Sequence, residues 1–153
     1  MALMSIIVKK TDIGDLEILY KIEKECFTLE AFSKKQITSL LQAPNSISLL
    51  AEINGKIVGF IIALIYGGRN GKIGHVFTLD VALNARKKGV GLKLLDSLEQ
   101  ILREKGVNVC YLEAKVNNVA ARELYRKLGY VEIRFLKGFY RGGNGIRLKK
   151  SLQ

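Results

Sequence analysis

A chain of 153 residues, 48 % apolar and 25 % charged with a single proline, Pro44, reads as one domain spanning residues 1–153, long enough to bury about two-thirds of its unfolded surface. That composition excludes a disordered or low-complexity protein, and the longest apolar run, Val58 to Tyr66, is too short to cross a bilayer. The net charge of +11 sits almost wholly in residues 86–153, which hold sixteen basic and six acidic residues against nine and eight before them; a polyanionic partner fits this, but no nucleic-acid-binding motif accompanies it.

The opening MALMSIIV is a weakly apolar lead-in without the charged-then-apolar order of a signal sequence, so a cytoplasmic protein without membrane contact is expected. Ile6 to Lys9 reads as a short strand. Thr11 and Asp12 offer N-caps for a helix whose apolar stripe is Leu16, Leu19, Ile22 and Phe27. Ser33 and Gln36 form a capping box for a second helix through Leu41, ended by Pro44 and Asn45. Ser48 to Ile53 and Lys56 to Ile65 are β-branched runs around Asn54-Gly55, a strong hairpin signal, and the turn Gly67 to Gly71 leads to a third strand, Lys72 to Val81.

RKKGVG follows, Arg86 to Gly91, and opens a helix with Gly91, Leu94, Leu95, Leu98, Ile101 and Leu102 on one face, stopped by Gly106. Val107 to Ala114 is a strand. Asn117 or Asn118 caps a further helix that ends at Gly129. Tyr130 to Leu136 and Ile146 to Leu148 read as closing strands around the GGNG turn, Gly142 to Gly145. The order β-α-α-β-β-β-α-β-α-β-β makes an α/β domain with a largely antiparallel sheet.

Two segments carry chemistry. A glycine-bearing turn entering a helix leaves several N–H groups free at the positive end of the helix dipole, and Arg86, Lys87 and Lys88 add charge there. These are the parts of a pyrophosphate cradle, and equally of a well-capped helix start, since neither GxxxxGK[ST] nor GxGxxG is present. On the later helix, N-x-x-A-x-x-L-Y places Asn118, Ala121 and Tyr125 on one face; read alone, the segment is better explained as an amphipathic helix that buries Leu124 and Leu128 with Tyr125 as a half-buried packing residue. Cys26 and Cys110 lie in no metal-ligand pattern, and with His75 the lone histidine a zinc site has no ligand set.

Taken together and in this order, the two segments resemble the GCN5-related N-acetyltransferase (GNAT) family, from about Ile6 to Leu148. Its coenzyme motif Q/R-x-x-G-x-G/A is matched by Arg86, Gly89 and Gly91, and its helix motif N-x-x-A-x-x-L-Y-x-x-x-G-F/Y by Asn118, Ala121, Leu124, Tyr125, Gly129 and Tyr130. Within the family, IEKECF, EAFS and YLEAKVNN are similar to segments of ribosomal-protein and protein N-terminal acetyltransferases. GFYRGGNGIRLKKSL departs from their closing segment, with Phe139-Tyr140 in place of a tyrosine pair and NGI in place of EDA.

The resemblance implies a mostly antiparallel sheet of about seven strands flanked by four helices. It further implies acetyl-CoA as coenzyme and transfer to the N-terminal α-amine of a protein or peptide. Glu113 would be the general base, made more basic by burial, and Tyr125 the acid for the departing sulfur. The backbone of Leu79, Asp80 and Val81 would hold the thioester carbonyl. Arg86, Lys87, Lys88, Gly89, Val90, Gly91 and Leu92 would hold the pyrophosphate, and Asn118, Ala121 and Tyr125 the coenzyme arm. Phe27, Glu30, Phe32 and Tyr140 would line the acceptor pocket, with His75 beside the amine. A small-molecule amine as acceptor, and a non-catalytic module that senses acetyl-CoA or docks on a ribosome through its basic half, are the alternative readings. A monomer or dimer fits this size.

Overall fold

The computed structural model describes residues 5–153, so Met1 to Met4 of the lead-in lie outside the described residues. Seven strands, β1 (Ile6–Lys10), β2 (Ser46–Ile53), β3 (Lys56–Gly68), β4 (Gly71–Val81), β5 (Val107–Lys115), β6 (Val131–Tyr140) and β7 (Gly143–Ser151), form one sheet in the order β1-β2-β3-β4-β5-β7-β6. Helices α1 (Leu16–Cys26) and α2 (Lys34–Gln42) cover one face. The other carries α3 (Val90–Glu104) and α4 (Val119–Lys127). Every neighbouring pair is antiparallel except β4 and β5.

Several local readings shift in the tertiary context. Asp12 caps a 3₁₀ turn, Ile13–Asp15, that feeds α1, rather than capping α1 itself. Phe27 is not on the helical stripe: it leaves α1 in extended conformation and is free to line a cavity. The hairpins are longer than their glycines imply. β3 and β4 pair out to Gly68 and Gly71, and β6 and β7 out to Tyr140 and Gly143, because cross-strand bonding continues through glycine wherever the partner strand is present.

Two departures from a regular sheet create the space for a site. The parallel pairing of β4 with β5 runs only from Lys72↔Val107 to His75↔Tyr111. Beyond it, β4 stays with β3 and β5 with β7, so the two strands part and leave unpaired backbone edges facing each other. The register also slips between Ile62↔Thr78 and Ala63↔Val76, so Phe77 is an extra residue on β4. This bulge reverses the alternation. Val76 packs in the α3-side core, yet two positions on Thr78 lies opposite Ile62 on the α1 side, as does Asp80 opposite Phe60.

Gly59 on β3 lets α3 approach. A Cβ there would stand 2.6 Å from the Asp80 carbonyl oxygen and 3.1 Å from Val90, so the start of α3 rests directly on the sheet.

Candidate functional site

Lys87 and Gly89 both adopt left-handed backbone conformations, with φ of 62° and 86°. Of the two glycines in RKKGVG only Gly89 stands in the turn: Gly91 is already inside α3, and Lys87 supplies the second left-handed conformation. Gly89 caps α3 without a side-chain hydrogen bond. The first bond of the helix is from the Lys93 N–H to the Gly89 carbonyl, so the N–H groups of Val90, Gly91 and Leu92 are left to a ligand. Arg86 donates from Nε to the Val81 carbonyl oxygen at 3.1 Å and ties the loop to the end of β4.

The loop forms one end of a cavity of about 490 Å³ lined by Val81, Arg86, Lys87, Gly89–Leu92 and Leu124. A second cavity of about 450 Å³ lies in the gap between β4 and β5, under the α1–α2 connection and the β6–β7 hairpin. Cys26, Phe27, Leu79, Asn118, Ala121 and Tyr125 line both. One site therefore has two arms that meet at Tyr125: a cationic arm with free amides and an acid-lined arm.

The acid-lined arm holds Glu23, Glu30, Phe32, Glu113, Lys115 and Tyr140. Glu113 accepts from Arg147 Nε at 2.9 Å on one oxygen and lies 2.7 Å from His75 Nε2 on the other. Burial works to raise its pKa, but the hydrogen bonds and charges of His75 and Arg147 outweigh it and hold the carboxyl below its ordinary value. The expectation that burial makes Glu113 more basic is thus overturned: two donors hold it as a carboxylate. Lys115 pairs with Glu30 at 3.2 Å. Tyr125 is buried, and desolvation first, with the charge of Glu113 acting the same way, pushes its phenol upward, so it keeps its proton at working pH. Its ring stands edge-on to Tyr130.

Most of the expected site residues line these two arms. Three do not. Lys88, which follows the left-handed Lys87, lines neither cavity. Asp80 turns its side chain into the protein beside Thr78, behind the cavity wall formed by Leu79 and Val81. His75 reaches the cavity only through Glu113, since its own position lies in the stretch where β4 and β5 are still paired. Asn118 spends its side-chain oxygen on the N–H of Ala121 at 3.1 Å, capping α4, which leaves its amide N–H₂ toward the cavities. Arg147 was not legible as a site residue. It enters through the register of β7, which sets it opposite Glu113.

No group of three or more His, Cys, Asp or Glu side chains able to hold a metal ion occurs among the described residues. No helix among them is long and apolar enough to cross a membrane.

Comparison with known proteins bears on the fold and the family. The chain is 33% identical, over 90% of its length and 85% of the relative's, to an uncharacterised N-acetyltransferase of Methanocaldococcus jannaschii. It is also 33% identical to an N-alpha-acetyltransferase of Sulfurisphaera tokodaii over 65% of each chain. Ard1 from Thermoplasma volcanium has the same fold, with a TM-score of 0.88 at 22% identity over 97% of this chain and 98% of that one. So does a ribosomal-protein-alanine N-acetyltransferase from Brucella melitensis, with a TM-score of 0.78 at 23% identity over 95% and 99%. The model of the acetyltransferase (GNAT) family matches residues 16–130, three-quarters of the chain and both motif segments, and the chain belongs to that family.

Proposed function

We propose that the protein transfers the acetyl group of acetyl-CoA to the N-terminal α-amine of a protein or peptide. The observation that carries this reading is the meeting of the two arms at Tyr125. The cationic arm suits a coenzyme pyrophosphate, and the gap between β4 and β5 gives its pantetheine a channel with unpaired backbone groups on both sides. The acceptor arm is roofed by the α1–α2 connection, where Leu29 sits against Gly142 of the β6–β7 hairpin. A chain end can enter it between Phe27, Phe32 and Tyr140.

In this reading the amine nitrogen attacks the thioester carbon while backbone N–H groups near Leu79–Val81 receive the developing oxyanion. The carbon–sulfur bond breaks, and the departing thiolate takes the phenolic proton of Tyr125. The amine proton passes to Glu113, directly or through water, with Arg147 and His75 holding that carboxylate in place. Glu30 draws the cationic form of the acceptor inward.

The held-down pKa of Glu113 has a kinetic consequence. Because the group stays ionised throughout the neutral range, it contributes no inflection there. The acid side of the rate profile should instead follow the free fraction of the acceptor α-amine, whose ordinary pKa is about 7.7–8.0. Below that range kcat/KM for a peptide should fall about tenfold per pH unit. An inflection that stays put when the acceptor is changed for a less basic amine would reassign the limb to an enzyme group.

The deciding experiment is thiol release from acetyl-CoA with short peptides bearing free or blocked N-termini, run beside spermidine and free amino acids. Turnover that requires a free α-amine and varies with the first two residues is expected. The cluster of Glu23, Glu30 and Glu113 in the acceptor arm favours one second reading, a small cationic amine. Turnover of spermidine alone would establish that reading and displace the first.

A further inference from the structure

At the base of the acid-lined arm lies a buried group of polar side chains that acetyl transfer does not itself use: Glu23 on α1 and Thr78 on β4, which border the cavity, and Asp80 on β4, which does not. The bulge at Phe77 brings Thr78 and Asp80 to the α1 side. Thr78 Oγ1 lies 2.9 Å from Glu23 Oε1 and also within hydrogen-bond reach of Asp80 Oδ1. Glu23 Oε2 accepts from the backbone N–H of Phe32 at 3.0 Å.

A hydroxyl has one proton, and two ionised carboxylates can only accept. Thr78 can therefore satisfy one of its neighbours, and the other must itself bring a proton. Glu23 already accepts the backbone N–H of Phe32 on its other oxygen, so it stands as an acceptor on both sides. Asp80 has no such donor: it lies behind the cavity wall, and its Oδ2 is buried without a partner. The directional chain is thus Asp80 O–H to Thr78, Thr78 O–H to Glu23, and Phe32 N–H to Glu23.

We propose that Asp80 is held as a neutral acid and that this chain of hydrogen bonds fastens the acceptor-lining loop at Phe32 to the strand that receives the thioester, making Asp80 and Thr78 positioning residues for acceptor binding. The functional half of this rests on the acetyl-transfer reading above. Other titratable or charged groups around Asp80 are Cys26 on α1, Arg86 before α3 and Tyr125 on α4. Burial, followed by the hydrogen bond and charge of Glu23, pushes the Asp80 carboxyl well above its ordinary value, against the opposing influence of Thr78 and Arg86. A charge on Asp80 would in turn raise Tyr125 further and hinder its proton donation.

Protonation is read directly by infrared difference spectroscopy of wild type against D80N at neutral pH. A carboxylic-acid carbonyl band present in wild type and lost in D80N is expected; a difference confined to carboxylate bands overturns the assignment. Since folding then takes up a proton at Asp80, wild-type stability falls as pH rises above the ordinary carboxyl range. The melting temperature of D80N minus that of wild type should accordingly rise between about pH 5 and 8; a difference that stays level or falls over that range overturns a neutral Asp80.

The fastening is read by amide hydrogen exchange at Phe32. Thr78→Val should speed it, and Thr78→Ser should restore it; equal protection in all three overturns the coupling. In turnover, T78V should raise the acceptor KM about tenfold, the loss expected for one hydrogen bond to a charged group, with the acetyl-CoA KM held and T78S near wild type. Equal movement of both KM values would mark a general loosening and overturn the acceptor-specific role. If no amine is turned over at all, the transfer reading fails, and the infrared band and Phe32 exchange decide the proton and the fastening without it.

Discussion

Replacement of Tyr125 by phenylalanine should lower kcat by about 10²–10⁴-fold, the range that general acid catalysis supplies. Affinity for acetyl-CoA should stay near the wild-type value. The ring is what packs: it stands edge-on to Tyr130 and lines both arms of the site, and phenylalanine keeps those contacts. The hydroxyl is what reacts. It sits where the arms meet and, held protonated by burial, is available to the departing sulfur. Without it the thiolate leaves unprotonated into a site that already holds the Glu113 carboxylate, an unfavourable combination. The check is steady-state turnover together with acetyl-CoA binding by calorimetry. Wild-type kcat in Y125F would remove the phenol from the chemistry, and a matched loss of binding would make it a coenzyme contact only.

The largest stability effect should come from Glu99→Ala. Glu99 is buried on α3 and accepts from the Tyr130 hydroxyl at 2.8 Å and from Lys150 Nζ at 2.7 Å, with Arg103 a further 3.6 Å neighbour. These bonds dock the start of β6 and the end of β7 onto α3. Alanine would leave the Tyr130 hydroxyl without an acceptor in the core and a lysine without its counter-ion. A loss of about 3 kcal/mol is expected, since removing one partner of a buried pair strands the others. That corresponds to roughly a 10 °C fall in melting temperature for a domain of this size. Tyr130 packs against Tyr125, so acetyl-CoA turnover should fall with it even where the variant is folded. Glu99→Gln should lose less, because its amide oxygen still accepts from Tyr130. A melting temperature unchanged in E99A would show that β7 is held by its strand pairing alone.

The two residues contrast in how much of each was legible. Tyr125 stands in a motif whose spacing on one helix face is a local property, and the same holds for Gly89 before α3 and for the Ser33–Gln36 capping box, which forms as its sequence implies. Local backbone preferences and a 3.6-residue period carry that information without reference to any other part of the chain. Glu99 carried no such signal. It is one polar residue on an amphipathic helix until β6 and β7 bring Tyr130 and Lys150 to it.

The same division runs through the site. The order of seven strands and four helices, the glycine-bearing loop entering α3, and the placing of Asn118 at the cap of α4 and Tyr125 within it were determined by the amino-acid sequence by itself, because each follows from periodicity, capping or turn chemistry over a few residues. The parting of β4 from β5, the reversal of side-chain facing at Phe77, the ionised state of Glu113 between His75 and Arg147, and the burial of Asp80 beside Glu23 were decided only by the tertiary structure. Each depends on strand register and on the charge and solvent exposure that distant segments impose, and neither register nor dielectric surroundings can be read from neighbours along the chain.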